Sequence, residues 1–356
     1  MKLKKGLAII LALTLVLTCF AACGGGGDDP GTEEGSEGEA AAYSADSPLV
    51  LRLASDAPIE HIASTVNNEL VELIAEKTEG RVQLDYYPAS QLGSYETVYE
   101  EVMLGAIDAA QITVPDASDA RLGAAYLPWY ATSFEEAYEL YGQDSLMTAT
   151  MREICAAQNV NFVGFLLEGF IGWGFVDMPQ DLYTPGTNKS LALRSPAMLT
   201  FRIPAEELGF TATTVTYAEV PTAMQTGVID GWVGGTPNMN YAWVGEIINY
   251  MVVNYMHAEA TAYVVSEVSL GKLTEEDRAL VLEAFTEMSD RSFTMAEENE
   301  KDYMQRLQDD YGVEVIEFTE EQVAEFAQFT RENVWPQLEE LLTVELMDAF
   351  RAEIGM

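Results

Sequence analysis

From Thr274 to about Asp310 the chain runs without a proline or a glycine. Thr274, with Asp277 three residues on, has the form of a helix N-cap. A helix of that length spans roughly 50 Å, about the width of two domains side by side. The apolar positions in the run do not keep a heptad, which argues against a surface coiled coil. The spacing therefore predicts a helix that bridges two domains, and 356 residues are enough for both to bury a core.

The text before that helix alternates in two series. "LVLRLAS" reads as a short strand, and Asp56 to Lys77 as a helix closed by Gly80. "RVQLDYYP" is a strand, "ETVYEEVMLGAIDAAQIT" a helix, a glycine and a strand, Phe134 to Gln158 one long helix, and "VNFVGFLL" a strand. The second series begins near Gly172 with "SLALRSP", "PAEELG", "FTATTVTY", a short helix over Glu219 to Thr226, "VIDGWVGG" and "AYVVSEVSL". Two further helices end the chain. This order predicts an α/β fold with mostly parallel sheets covered by helices. The domains are placed at 48–171 plus 260–299 and at 172–259 plus 300–356.

The first residues stand outside that fold. Lys2, Lys4 and Lys5 precede the apolar stretch Gly6 to Ala22, the layout of a secretory signal peptide over 1–22. A retained membrane anchor is the alternative, for which the stretch is short. "FAAC" resembles the lipobox of bacterial lipoproteins, with Phe20 in place of the usual Leu. That puts a lipid on Cys23 and the chain outside the cytoplasmic membrane, anchored to it, at the cell surface or in a periplasm. Residues 23–47 carry Gly, Ser and acids with almost nothing apolar, the composition of a flexible tether. Beyond the signal only Cys155 remains, so no intramolecular disulfide forms, and a cysteine-based nucleophile or metal site is excluded.

The charge balance, 18 basic against 58 acidic residues for a net −40, argues against nucleic acid and against docking on anionic lipid. The two histidines, His61 and His257, form no metal-ligand pattern, and no nucleophile elbow or phosphate-cradling glycine loop appears. No cofactor, metal or catalytic residue is assigned. A paired-carboxylate hydrolase remains open in a chain this acidic, but nothing marks a pair. "LALRSP" instead places Arg194 at the end of a short apolar strand. Its guanidinium either closes a structural ion pair or offers a planar fork to a carboxylate ligand.

Four segments in order decide between those readings: "YYPASQLGSYETVYEEVMLGAID" (86–108), "RLGAAYLPWYATSFEEA" (121–137), and, within 191–231, "LALRSPAML" and "TTVTYAEVPTAMQTGVIDG". With them the chain resembles the extracytoplasmic solute-binding proteins of TRAP transporters (tripartite ATP-independent periplasmic transporters) from Leu49 to Ile354. The resemblance implies a two-domain, periplasmic-binding-protein-like (type II) fold that closes on a small organic acid and hands it to membrane subunits. It aligns Arg194 with the family's carboxylate-reading arginine and Tyr217 with a pocket aromatic. Trp173 and Trp232 flank family ligand positions, and Asp56, Ser94 and Thr113 fall at pocket-facing strand ends. Two departures stand out. "GWG" at 172–174 occupies the region where many members carry a second arginine, and Gly234 stands where many carry Asn, with Asn238 a possible substitute. Losing both partners points away from dicarboxylates and sugar acids toward a bulkier, more apolar monocarboxylate. Glu168 either accepts from a ligand hydroxyl or amine or serves a hinge. A ligand sensor for signalling would share the same fold.

Overall fold

The computed structural model describes residues 43–356. The signal peptide, Cys23 and the tether up to residue 42 lie outside the described residues. The last tether positions are attached to the fold: Tyr43 Oη donates to Asp277 Oδ2 at 2.8 Å and accepts from Thr274 N at 3.0 Å. Among the described residues no helix is long and apolar enough to cross a membrane.

Among the described residues nine strands form one mixed sheet: β1 (Leu49–Ser55), β2 (Val82–Tyr87), β3 (Ala109–Ile112), β4 (Val160–Phe175), β5 (Ala192–Ser195), β6 (Thr211–Thr214), β7 (Gly231–Gly235), β8 (Tyr250–Ser266) and β9 (Glu314–Glu317). Their order is β2-β1-β3-β8-β4-β7-β5-β6, with β9 beside β8. Helical crossovers make the β1–β2, β1–β3, β5–β6 and β5–β7 pairs parallel, as does the β8–β9 pair. The centre departs from the parallel pattern, because β3–β8, β4–β8 and β4–β7 run antiparallel. The β4–β8 pairing shifts register three times, between Phe162 and Gly164, Leu167 and Gly169, and Ile171 and Trp173.

Two expected helices change at polar or ring-constrained positions. The first spans Ile62–Lys77 rather than starting at Asp56, since Pro58 disfavours helical backbone before it and His61 Nδ1 caps the start by accepting from Ala63 N. The segment 134–158 is two helices, Phe134–Tyr141 and Leu146–Ala156, the second capped by Ser145 Oγ accepting from Thr148 N at 3.1 Å. After β9 the chain forms three helices, not two, because Pro336 starts a new one at Trp335–Leu342.

The long helix spans Glu275–Tyr311, 37 residues, from its Thr274 cap to Gly312 at φ 70°. Val281, Phe285 and Met288 enter a core with Leu53, Leu70 and Tyr263 at one end, and Leu307 joins Trp232, Val244 and Met251 at the other. Between them lies the largest cluster, with Trp129, Trp173, Phe175, Phe210, Phe326 and Trp335. The helix thus bridges two lobes, one built on β1–β3 and one on β5–β7. The boundaries at 171/172, 259/260 and 299/300 fall inside β4, β8 and this helix.

Candidate functional site

Where the strand ends of the two lobes face each other lies a narrow cleft with about 60 Å³ of free space. Its lining includes Asp56, Tyr95, Thr113, Tyr126, Glu168, Arg194, Phe201, Tyr217, Gly234, Met239, Glu259 and Thr261. Asp56, Thr113, Glu168, Arg194, Tyr217 and Gly234 are therefore brought together here from among the residues singled out in the sequence.

Arg194 is 3% exposed and sits on β5 between Thr213 of β6 and Trp232 of β7. Nε donates to Val215 O at 2.9 Å and Nη1 to Val233 O at 3.2 Å. Two of five guanidinium N–H groups are thus used, and among the described residues no acid pairs with it within 4.0 Å. Burial lowers its pKa to about 10, so it stays charged at neutral pH. Gly234, at φ 133°, makes this placement possible, because a Cβ there would lie 2.9 Å from Nη1 and in a strained backbone region. The room that glycine makes is filled by the guanidinium.

The opposite wall is acidic. β4 carries one charged residue, Glu168, and the register shift between Leu167 and Gly169 sets it in a bulge, with Gly169 at φ 135° opposite Glu259 of β8. Glu168 Oε1 accepts from Gln111 Nε2 at 3.0 Å and from Thr261 Oγ1 at 2.8 Å. Gln111 is itself fixed, as its Oε1 accepts from Ser55 Oγ and Asn67 Nδ2. Glu259 Oε1 accepts from Tyr126 Oη at 3.0 Å. Burial, then the neighbouring acids, pushes Glu168 well above the ordinary carboxyl range, and burial pushes Glu259 up to about 8 and Asp56 up to about 7. His61 Nε2 lies 3.6 Å from Glu168 Oε2, too far for a hydrogen bond, and burial pushes its pKa down to about 3.

Behind the bulge, Glu300 of the long helix accepts from Phe170 N at 2.7 Å. It is buried, its carboxyl is pushed up to about 8, and its Oε2 occupies the space a Cβ on Gly169 would need.

Four singled-out residues do not line this cleft. Trp173 is fully buried in an aromatic cluster with Phe175, Phe210, Phe318 and Phe326. Trp232 is also fully buried and donates to Asn240 Oδ1, forming the base beneath Tyr217. Asn238 Oδ1 accepts from Ile62 N at 2.9 Å, tying the start of helix Ile62–Lys77 to the other lobe. Ser94 is an exposed helix cap beside a neighbouring recess that shares Asp56, Tyr95 and Tyr217. The aromatic wall is instead built by Tyr95, Tyr126, Phe201 and Tyr217. Glu259, Gln111 and Tyr126 were not picked from the sequence, although an acid and an amide inside otherwise apolar strands were available signals. Among the described residues no group of His, Cys, Asp and Glu is arranged to hold a metal.

Two lobes on shared strands, with a polar cleft between strand ends, define the class of solute-binding proteins that take their ligand between lobes. The profile of the bacterial extracellular solute-binding proteins, family 7, matches residues 54–340, and the chain belongs to this family. A relative described as a solute-binding protein from Chromohalobacter salexigens is 26% identical over 289 residues, 78% of this chain and 82% of its own. The fold is similar to that of a TRAP periplasmic solute binding protein from Desulfovibrio salexigens with bound orotic acid, at TM-score 0.76 and 16% identity over 85% of this chain and 98% of the other. It is also similar to one from Sulfitobacter sp. NAS-14.1 with bound β-D-galacturonate, at TM-score 0.74 and 21% identity over 85% and 98%.

Proposed function

We propose that this chain is the extracytoplasmic binding component of a TRAP transporter, capturing a small organic acid in the cleft and delivering it to membrane subunits. The observation that carries the reading is Arg194, a buried cation with three N–H groups free of protein acceptors and no acid partner among the described residues. A carboxylate matches a guanidinium fork in geometry and charge. The neighbours from Desulfovibrio and Sulfitobacter hold orotic acid and galacturonate, both carboxylates.

Arg194 reads the carboxylate, and Tyr217, Thr113 and Gly234 shape the space around it. Trp173, Trp232 and Asn238 support the walls from behind, and Ser94 stands at the rim. Micromolar affinity is about −8 kcal/mol, while a hydrogen bond to a charged group nets about 1.5–3. Apolar contact with Phe201, Met239 and Tyr217 therefore carries much of the remainder. The lobes close over the ligand, and a lipid on Cys23, following the signal peptide, holds the protein to the outer face of the cytoplasmic membrane.

Calorimetry with an acid found by thermal shift tests the site. Arg194→Ala should cost about 2–5 kcal/mol in affinity, and Arg194→Lys should fall between it and wild type because one point contact survives. Wild-type affinity in Arg194→Ala would remove the carboxylate role. Unmodified Cys23 in the mature membrane-bound protein, seen by mass spectrometry, would remove the lipid anchor.

A further inference from the structure

We infer that the ligand is a zwitterion, an acid that carries a positively charged nitrogen in addition to its carboxylate. This rests on Arg194 as the carboxylate site. The cleft lining holds one guanidinium and three carboxyl groups, Asp56, Glu168 and Glu259. A ligand bearing only a carboxylate satisfies Arg194 and leaves the free oxygens of the buried Glu168 and Glu259 without a bonding partner. A second, positive group on the ligand turns these acids from a cost into a site.

The acids are placed for it. The β4 bulge brings Glu168 level with the Gly169–Glu259 pairing, so the two glutamates lie on adjacent strands facing one space. Both are buried, at 3% and 8% exposure. Each has one oxygen committed, Glu168 Oε1 to Gln111 and Thr261, and Glu259 Oε1 to Tyr126. The second oxygen of each has no hydrogen-bond donor among the described residues. His61, the nearest basic side chain to Glu168, stays neutral and out of bonding range. Two buried, half-used carboxyl groups in a cavity with an unpaired guanidinium are a complementary pair of charge sites. Tyr95, Tyr126, Phe201 and Tyr217 make the rest of the lining largely aromatic, and aromatic faces attract cations. The protons that burial keeps on these acids in the open cleft leave as the cation arrives.

Matched ligands test this on the wild-type protein. The pairs are glycine betaine and 3,3-dimethylbutanoate, L-leucine and 4-methylpentanoate, L-phenylalanine and 3-phenylpropanoate, and L-proline and cyclopentanecarboxylate. Each pair shares shape and carboxylate and differs in the charged nitrogen. Thermal shift over the panel, followed by calorimetry, should find at least one zwitterion bound tenfold or more tightly than its partner. Glu168→Gln and Glu259→Gln should shrink that ratio toward one. Binding of the nitrogen-free acids at equal or higher affinity overturns the zwitterion and leaves Arg194's role standing. Tighter binding of 2-hydroxy-4-methylpentanoate than of leucine overturns it in favour of a hydroxy acid. Failure of every carboxylate in the panel counts against both readings.

Discussion

The two walls of the cleft hold their charges by different means. On the β5–β7 side a single cation is fixed by backbone carbonyls, from Val215 and Val233, and by the absence of a side chain at Gly234. On the β3, β4 and β8 side the acids are fixed by other side chains, Gln111, Thr261 and Tyr126. The first wall is indifferent to pH from 5 to 8.5, since burial lowers the Arg194 pKa only to about 10. Burial of its acids makes the second wall sensitive to it. One wall is a fixed charge and the other an adjustable one.

The largest expected effect separates them by pH. Glu259 and Glu300 titrate near 8 when folded against an ordinary value near 4.5. A raised folded pKa stabilises the protein below about 4.5, and that contribution is lost as pH rises through 8. His61 and His257, both lowered to about 3 by burial, act in the opposite sense: their contribution is present above about 6.5 and lost as pH falls. Asp56 and Glu168 are raised in the same sense, so four acids outweigh two histidines above about pH 4.5, and urea unfolding of the unliganded protein should show greatest stability at pH about 4–5. Between pH 5 and 8.5, Glu259→Gln should recover about 2–4 kcal/mol relative to wild type, at about 1.4 kcal/mol per pH unit. Equal pH slopes in the two proteins would mean that this acid is ionised in the fold.

On the cation wall, Gly234→Ala should lower stability by about 1–3 kcal/mol at any pH from 5 to 8.5. It should also weaken acid binding, because the new Cβ displaces Nη1. Thermal melts and calorimetry measure the two, and unchanged affinity would mean that the guanidinium position is not what binds. At the rim, Ser94→Ala removes a long cap bond to Thr97 N, 3.5 Å, and should cost about 0.5–1 kcal/mol. Its affinity should stay within twofold of wild type, and a larger loss would bring Ser94 into the site.

What the sequence made legible follows the same division. Arg194 stands out because a cation ends an apolar strand before a proline, and the bridging helix because 37 residues pass without a breaker. Trp173 stands beside family ligand positions in the sequence, yet that adjacency does not fix which way its ring points. Three register shifts in β4 lie between Phe162 and Trp173, and the ring is packed into the aromatic core. The role of Glu168 is not legible in the sequence, because the bulge that aims it is braced by Glu300, which accepts from Phe170 N and lies more than a hundred residues away. Gln111, Tyr126 and Glu259 became site residues only once β3, β4 and β8 were neighbours, and the antiparallel centre of the sheet is not implied by a βα order.

The three continuous elements that cross between the lobes also bear on how the molecule comes apart. β8 and the Glu275–Tyr311 helix each contribute residues to both end cores, and β4 runs from the first end core into the central cluster, so neither lobe can lose its core while the other keeps a complete set of partners. Calorimetry of residues 43–356 should accordingly give one cooperative heat-absorption peak, with van't Hoff and calorimetric enthalpies in agreement. A binding protein of this build has no half-folded state in which one wall of the cleft survives alone, and its tolerance to heat is shared by the two lobes.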